Sequence, residues 1–236
     1  MPNGVVLGVI GNGRFELLQQ TVASLEDKVK YPFRIKIMID DTGDAQYAIK
    51  LQETFPDWHI ISHPTNQGLS GSIRSLWSAV KLLDAEYIFH VEEDFTFNEN
   101  IDIDQMAAIL ELHPYLTQIA LKRQPVNEAE AAAGGFMQQN PHSYSGVYYV
   151  KELGDDPDGN DAVIWHWVEH HNFFTLNPCL YPWWVTHIGW EQGWGEKEFG
   201  ERLFGNPYLF CAYLGGLNDP PKVTHIGNYR GNNWFV

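Results

Sequence analysis

Four apolar runs, each followed by a turn and three of them separated by helix-length amphipathic segments, constrain this chain more than any other feature. Val5–Ile10 is a strand closed by Gly11-Asn-Gly13. Leu18, Val22 and Leu25 then recur at helical spacing, in a segment ended by charge and Pro32. Phe33, Ile35, Ile37 and Ile39 alternate as a second strand, stopped by Asp40-Asp41-Thr-Gly43. Ala48, Leu51 and Phe55 mark a short helix, and Trp58–Ile61 a third strand. After His63-Pro-Thr-Asn-Gln-Gly68, an amphipathic helix carries Ile73, Leu76, Trp77, Val80 and Leu83. Tyr87–Val91 is the fourth strand, apolar enough to be buried on both faces. The order βαβαβαβ predicts an α/β fold with a mostly parallel central sheet covered by helices.

The fourth strand ends in Glu92-Glu-Asp94. Ligands of open α/β sheets bind outside the carboxyl ends of the strands. Three crowded carboxylates repel one another unless a cation offsets them, and a hard divalent metal suits that task. A solvated acidic loop is the plainer alternative.

The second half is less regular. Ile103–Leu112 predicts a helix and Gln118–Leu121 a strand. Residues 122–160, with Ala131-Ala-Ala-Gly-Gly135 and Gly154-Asp-Asp-Pro-Asp-Gly159, predict a long connection with turns of the kind used as binding lids. Residues 161–217 are dense in aromatics and hold a helix near 196–204, and Lys222–Ile226 is strand-like. Nothing repeats beyond the tetrapeptide Thr-His-Ile-Gly at 186–189 and 224–227, so 1–236 is expected to be one domain.

Composition narrows the partners. The net charge of −15 lacks the basic footprint of a nucleic-acid binder, although glycine turns, helix N-termini and a metal can hold phosphate on an acidic protein. No segment has the length of a membrane span, and Met1-Pro-Asn-Gly4 is not a signal-peptide start, so a cytoplasmic location is expected. Cys179 and Cys211 have no metal-type spacing and fit a reduced compartment. Seven of nine tryptophans follow residue 160; such rings line sugar sites, but ordinary core packing explains most of them.

Gly11-Asn-Gly13 with Asp40 and Asp41 also invites a dinucleotide-binding reading. The third glycine of that fingerprint is Glu16 here, whose charge would face a pyrophosphate.

Taken in order, the motifs resemble those of a GT-A fold glycosyltransferase of the family-2-like, nucleotide-sugar-dependent kind. The carriers are the polar turn with Arg14, then Asp40-Asp41-Thr-Gly-Asp44, Asn66-Gln-Gly68 ahead of Arg74, and Glu92-Glu-Asp94 as the D-x-D-like acidic motif. The likeness spans roughly residues 5 to 100, the expected nucleotide-sugar-binding half (1–100); residues 101–236 would form the acceptor side. Further on, Gly195-Glu-Lys-Glu-Phe-Gly-Glu-Arg202 is similar to the family's acceptor-side pattern, which puts a catalytic base at Glu196 or Glu198. Gly195 stands where the family has an acid. A charged helix face, with Glu198 and Arg202 paired at i,i+4, is the structural alternative.

The resemblance implies an inverting, metal-dependent transfer from a nucleoside-diphosphate sugar, with a UDP-sugar foremost, to a hydroxyl on a protein, glycan or modified nucleic acid. It implies Asp40 or Asp41 at the base or ribose, and Gly68, Arg14, Arg74 and Arg230 around the diphosphate. Glu92 and Glu93 would face the ribose, and Mn²⁺ or Mg²⁺ would sit on Asp94 and His225, with His187 as the competing histidine. Trp183, Trp184, Trp190 and Trp194 would floor the acceptor site. The rivals are an inactive GT-A-like nucleotide- or carbohydrate-binding scaffold and a sugar nucleotidyltransferase. The latter needs a basic loop after the first strand, and no lysine follows until Lys28.

Overall fold

The computed structural model describes residues 4–83, 85–125, 148–155, 161–171, 173–216 and 219–227; of 148–155 and 161–166 only the backbone is described. The first half follows the expected alternation. It runs β1 (Val5–Gly11), α1 (Phe15–Lys28), β2 (Ile35–Asp40), α2 (Ala45–Thr54), β3 (His59–Ser62), α3 (Gly68–Lys81) and β4 (Tyr87–Glu92). These strands pair in parallel in the order β3-β2-β1-β4. The chain thus steps outward from β1 and returns to its other side through α3. That reversal opens a crevice between the carboxyl ends of β1 and β4.

Burial explains why these runs are strands. Every residue of β1 is buried, because helices cover both faces of the sheet. Val5, Leu7 and Val9 pack with Leu18, Val22 and Leu25 of α1 on one face. Val6 and Ile10 pack with Ile73, Leu76 and Trp77 of α3 on the other. Asp44 closes the N-terminus of α2, and Asp102 that of the helix Ile103–Leu112, by accepting from the backbone N–H of Gln46 and Gln105, at 2.8 and 3.0 Å.

Beyond β4 come β5 (Phe95–Phe97), α4 (Ile103–Leu112), β6 (Leu116–Leu121), β7 (Tyr148–Asp155), β8 (Asp161–His170) and β9 (Cys179–Pro182). A 3₁₀ turn (Trp183–Ile188), α5 (Glu196–Leu203), β10 (Phe210–Leu214) and β11 (Val223–His225) follow. The sheet continues past β4 as β9-β6-β10-β8-β7, where only β6 and β10 pair in parallel. β11 pairs antiparallel with β5, setting His225 opposite Phe95.

The expected connection over 122–160 needs correction. Its later part forms β7, paired antiparallel with β8. Tyr148-Tyr-Val150 has β-forming character, and Gly154 and Asp155 of the polar cluster pair with Ala162 and Asp161; residues 156–160 lie outside the described residues. Ala131–Gly135 lies outside the described residues. The second strand also starts at Ile35, with Phe33 ahead of it.

The aromatic-rich half is mainly core. Trp190 is buried and stacks on Phe199 of α5, with ring centroids 4.7 Å apart, and meets Trp77 edge-on. Among the described residues, no helix is long and apolar enough to cross a membrane.

Candidate active site

The acids at the end of β4 lie against the turn after β1. Ile10 and Glu92 are paired across β1 and β4, and the Glu93 N–H donates to the Ile10 carbonyl. Thr21 of α1 donates to the Glu93 carbonyl at 2.8 Å, anchoring the turn from below.

The three carboxylates go separate ways. Glu93, buried, takes Arg14 Nε on Oε1 at 2.7 Å and the Arg14 backbone N–H on Oε2 at 3.3 Å. Asp94, also buried, takes Arg14 Nη1 at 2.5 Å and meets His225 Nε2 at 3.0 Å, both on Oδ2. Burial pushes the Asp94 carboxyl up, but the His225 contact and the Arg14 charge outweigh it and hold the group below its ordinary value. Glu92 feels the charges of Asp94 and Glu196. Burial and those two charges raise its pKa well above the usual range.

His225 is held in place by its own backbone. Its N–H donates to Gln124 Oε1, and its carbonyl accepts from Gln124 Nε2, both at 2.8 Å. The Ile226 N–H donates to the Asp94 carbonyl, also at 2.8 Å. Gln124 was not legible as a site residue, although its place just past the carboxyl end of β6 is a signal of the right kind. His187, the competing histidine, is exposed in the 3₁₀ turn against Trp183.

The two base candidates separate. Glu196 opens α5 and accepts from the Leu176 N–H, with Thr175 also bonded to it. Burial outweighs these bonds and the charge of Arg123, and the pKa is raised. Tyr213 feels the same carboxylate, and its hydroxyl is buried without a hydrogen-bond partner among the described residues. Glu198 instead folds back on its own helix: its Oε2 accepts from the Gly195 N–H at 2.9 Å, which lowers its pKa. Arg202 lies over the Trp194 ring, 5.9 Å from its centroid.

At the end of β2, Asp40 Oδ1 accepts from the Thr42 N–H and hydroxyl at 3.0 and 2.7 Å, while its buried Oδ2 has no partner among the described residues. Asp41 Oδ1 meets His63 Nδ1 at 2.6 Å and accepts from the Gln67 N–H at 2.8 Å. His63 Nε2 in turn meets Ser75 Oγ at 2.7 Å, tying β2, β3 and α3 together. Gly68 starts α3 at φ +72°, a left-handed conformation that favours glycine. Arg74, exposed on α3, donates to Gln192 at 3.0 Å. Arg230 lies outside the described residues.

A divalent metal was tested against these donors. Among the described residues, no group of three or more His, Cys, Asp or Glu side chains converges as a metal cage. Asp94 Oδ1, however, is a buried carboxylate oxygen without a hydrogen-bond partner among the described residues, on the carboxylate whose Oδ2 meets an imidazole nitrogen. One carboxylate and one imidazole suit a hard ion that takes its other ligands from phosphate and water.

No family model matches the sequence, and no curated protein does. The fold has solved counterparts. A structure of GalNAc-T7 with UDP, GalNAc and Mn²⁺ superposes with a TM-score of 0.62 at 10% identity, over 98% of this chain and 45% of that one. S. aureus TarS 1-349 in complex with UDP-GlcNAc gives 0.57 at 14% identity, over 96% of this chain and 59% of that one. The same protein with UDP gives 0.54 at 14% identity, over 94% and 60%. The chain spans about half the length of these solved chains. The likeness establishes a GT-A fold.

Proposed function

We propose that the chain is a metal-dependent glycosyltransferase that moves a sugar from a nucleoside-diphosphate sugar, a UDP-sugar first, to a hydroxyl acceptor with inversion. The observation that carries this is the meeting of two groups at the β1/β4 crevice. One is the Asp94–His225 pair, whose Asp94 Oδ1 has no hydrogen-bond partner among the described residues; the other is Glu196, whose charge helps to raise the pKa of Glu92. The titles of the solved counterparts name UDP, UDP-GlcNAc and Mn²⁺, which supports the choice of donor and ion.

Asp40, with one oxygen free, is assigned to the base or ribose in preference to Asp41, whose Oδ1 is engaged by His63 and Gln67. Asp94 and His225 would hold Mn²⁺ or Mg²⁺, which supplies positive charge to the diphosphate leaving group when bound. Glu196 takes the proton from the acceptor hydroxyl. The acceptor oxygen bonds to the anomeric carbon as the bond from that carbon to the β-phosphate oxygen breaks, and the nucleoside diphosphate leaves. The raised pKa of Glu196 strengthens it as a base.

The test is a panel of nucleotide sugars with Mn²⁺, read by melting temperature and by release of nucleoside diphosphate. A donor that stabilises and turns over supports the assignment; no response to any nucleotide overturns it. Glu196→Gln is expected to lower kcat about a hundredfold or more with donor affinity retained. A product of retained anomeric configuration would remove the inverting assignment. Binding without turnover favours an inactive scaffold, which Gly195 in place of the family's acid also suits.

A further inference from the structure

The acids after β4 already hold a cation, and it belongs to the chain. Arg14 spans Glu93 and Asp94 through Nε and Nη1, and its backbone N–H closes the second Glu93 oxygen. Its side chain is 24% exposed, against 1% and 2% for the two carboxylates, so water screens the cluster poorly. Burial opposes the guanidinium charge, yet Asp94 and Glu93 together hold its pKa above the ordinary value. The chain crosses closely at Gly227, where a Cβ would stand 2.2 Å from Asp94 Oδ2 and 2.9 Å from Arg14 Nη1. Asp94 therefore has one oxygen taken by Arg14 and His225 and one, Oδ1, without a partner among the described residues.

We propose that Arg14 is a resident counter-cation that competes with the divalent ion for Asp94. On its own the chain holds metal weakly; it holds metal tightly once a diphosphate offers the guanidinium a replacement anion. This rests on the metal reading above. Two cations on one buried carboxylate repel each other, so each weakens the hold of the other. A guanidinium released from Asp94 finds an equivalent bidentate partner in two oxygens of a phosphate, which its fork of N–H groups matches. The same contact sets the positive charge of residue 14 against two of the three adjacent acids.

The experiment is an Mn²⁺ titration of the full chain followed by electron paramagnetic resonance, with and without UDP. An opposite charge a few ångströms away changes the proton affinity of a carboxylate by about tenfold to a thousandfold. Removing Arg14 is accordingly expected to tighten nucleotide-free Mn²⁺ binding by about tenfold or more, and to shrink the gain from UDP. Arg14→Met leaves Glu93 buried and unpaired and risks misfolding, so Arg14→Met/Glu93→Gln, which removes both charges together, is the second variant. Arg14→Lys keeps the charge and is expected to bind Mn²⁺ as weakly as the parent. If the double variant holds Mn²⁺ no tighter than the parent, or the lysine variant tightens equally, the competition is overturned. Mn²⁺ held by the parent and lost in Asp94→Asn would leave the metal site standing in that event. No Mn²⁺ on the parent even with UDP would remove both.

Discussion

Two strands of the parallel sheet end in adjacent acids, and the chain treats them differently. At the end of β2, the partners of Asp40 and Asp41 come from nearby sequence: Thr42 two residues on, His63 and Gln67 at 22 and 26. At the end of β4, Asp94 is met by Arg14, 80 residues back, and by His225, 131 residues ahead. The first arrangement forms once neighbouring βα units have closed. The second exists only when both ends of the described chain have docked. A carboxylate satisfied locally can brace a scaffold. One satisfied from across the chain, with an oxygen left over, sits where several elements converge and a ligand can enter.

The sharpest way to break this contrast is to neutralise each end in turn. Asp94→Asn keeps shape and loses charge. The expected result is loss of metal-dependent turnover by about a hundredfold or more, the scale of a lost electrostatic stabiliser, with a lower melting temperature because Arg14 and His225 lose the buried charge they face. A fully active, metal-independent variant would show that Asp94 holds no ion the reaction needs. Asp41→Ala should fail the other way. It leaves the buried His63 and the Gln67 N–H without their acceptor, at a cost of about 3 kcal/mol in urea unfolding. Undiminished stability with lost UDP binding would make Asp41 the ligand-facing acid and Asp40 the brace.

The same division marks how much could be read from sequence. β1, β2 and β4 are legible because strands buried on both faces must be apolar throughout, and α1 and α3 because each buries one stripe. β9 was not legible: Cys-Leu-Tyr-Pro gains strand character by inserting antiparallel between β4 and β6, partners far away in sequence. Asp94, Glu196 and His225 stand out because the order of motifs resembles that of GT-A glycosyltransferases, and the roles proposed for them rest on that resemblance. Their connections were not legible. Nothing in the order of residues says that Arg14 covers the acids, that Gln124 brackets the His225 backbone, or that Glu198 is spent on its own helix.

A smaller effect probes the strand that carries the acids. His90, inside β4, is fully buried, and neither ring nitrogen has a partner among the described residues. Burial pushes its pKa down to about 3, from an ordinary value of 6.5. The folded state therefore keeps the ring neutral while the unfolded chain takes a proton below pH 6.5. The stability tied to this ring is present above pH 6.5 and is lost as pH falls through 6.5 toward 3. At pH 5 the loss is about 2 kcal/mol. His90→Leu removes the titrating group, so its stability relative to the parent should improve by about that amount between pH 8 and pH 5. An unchanged difference between the two pH values would mean that the ring finds a proton partner, and that the interior of β4 is as well satisfied as the turn after β2.

The smallest effect concerns the two glutamates that open α5, where the contrast between local and long-range satisfaction recurs within three residues. Glu198 is the local case, bonded to the Gly195 N–H of its own capping box; Glu196 faces Glu92 across the crevice. Glutamine at 198 still accepts that N–H and forfeits only the attraction between a carboxylate and the positive end of the helix. The expected loss is about 0.3–1 kcal/mol of stability, with kcat unchanged. Because the lowered pKa of Glu198 comes from the fold, this loss should vanish as pH drops through that lowered value and the parent carboxylate is itself neutralised. If kcat instead falls as steeply as the loss expected for Glu196→Gln, the side chain leaves its cap to meet the acceptor, and a carboxylate satisfied locally is not thereby excluded from the chemistry.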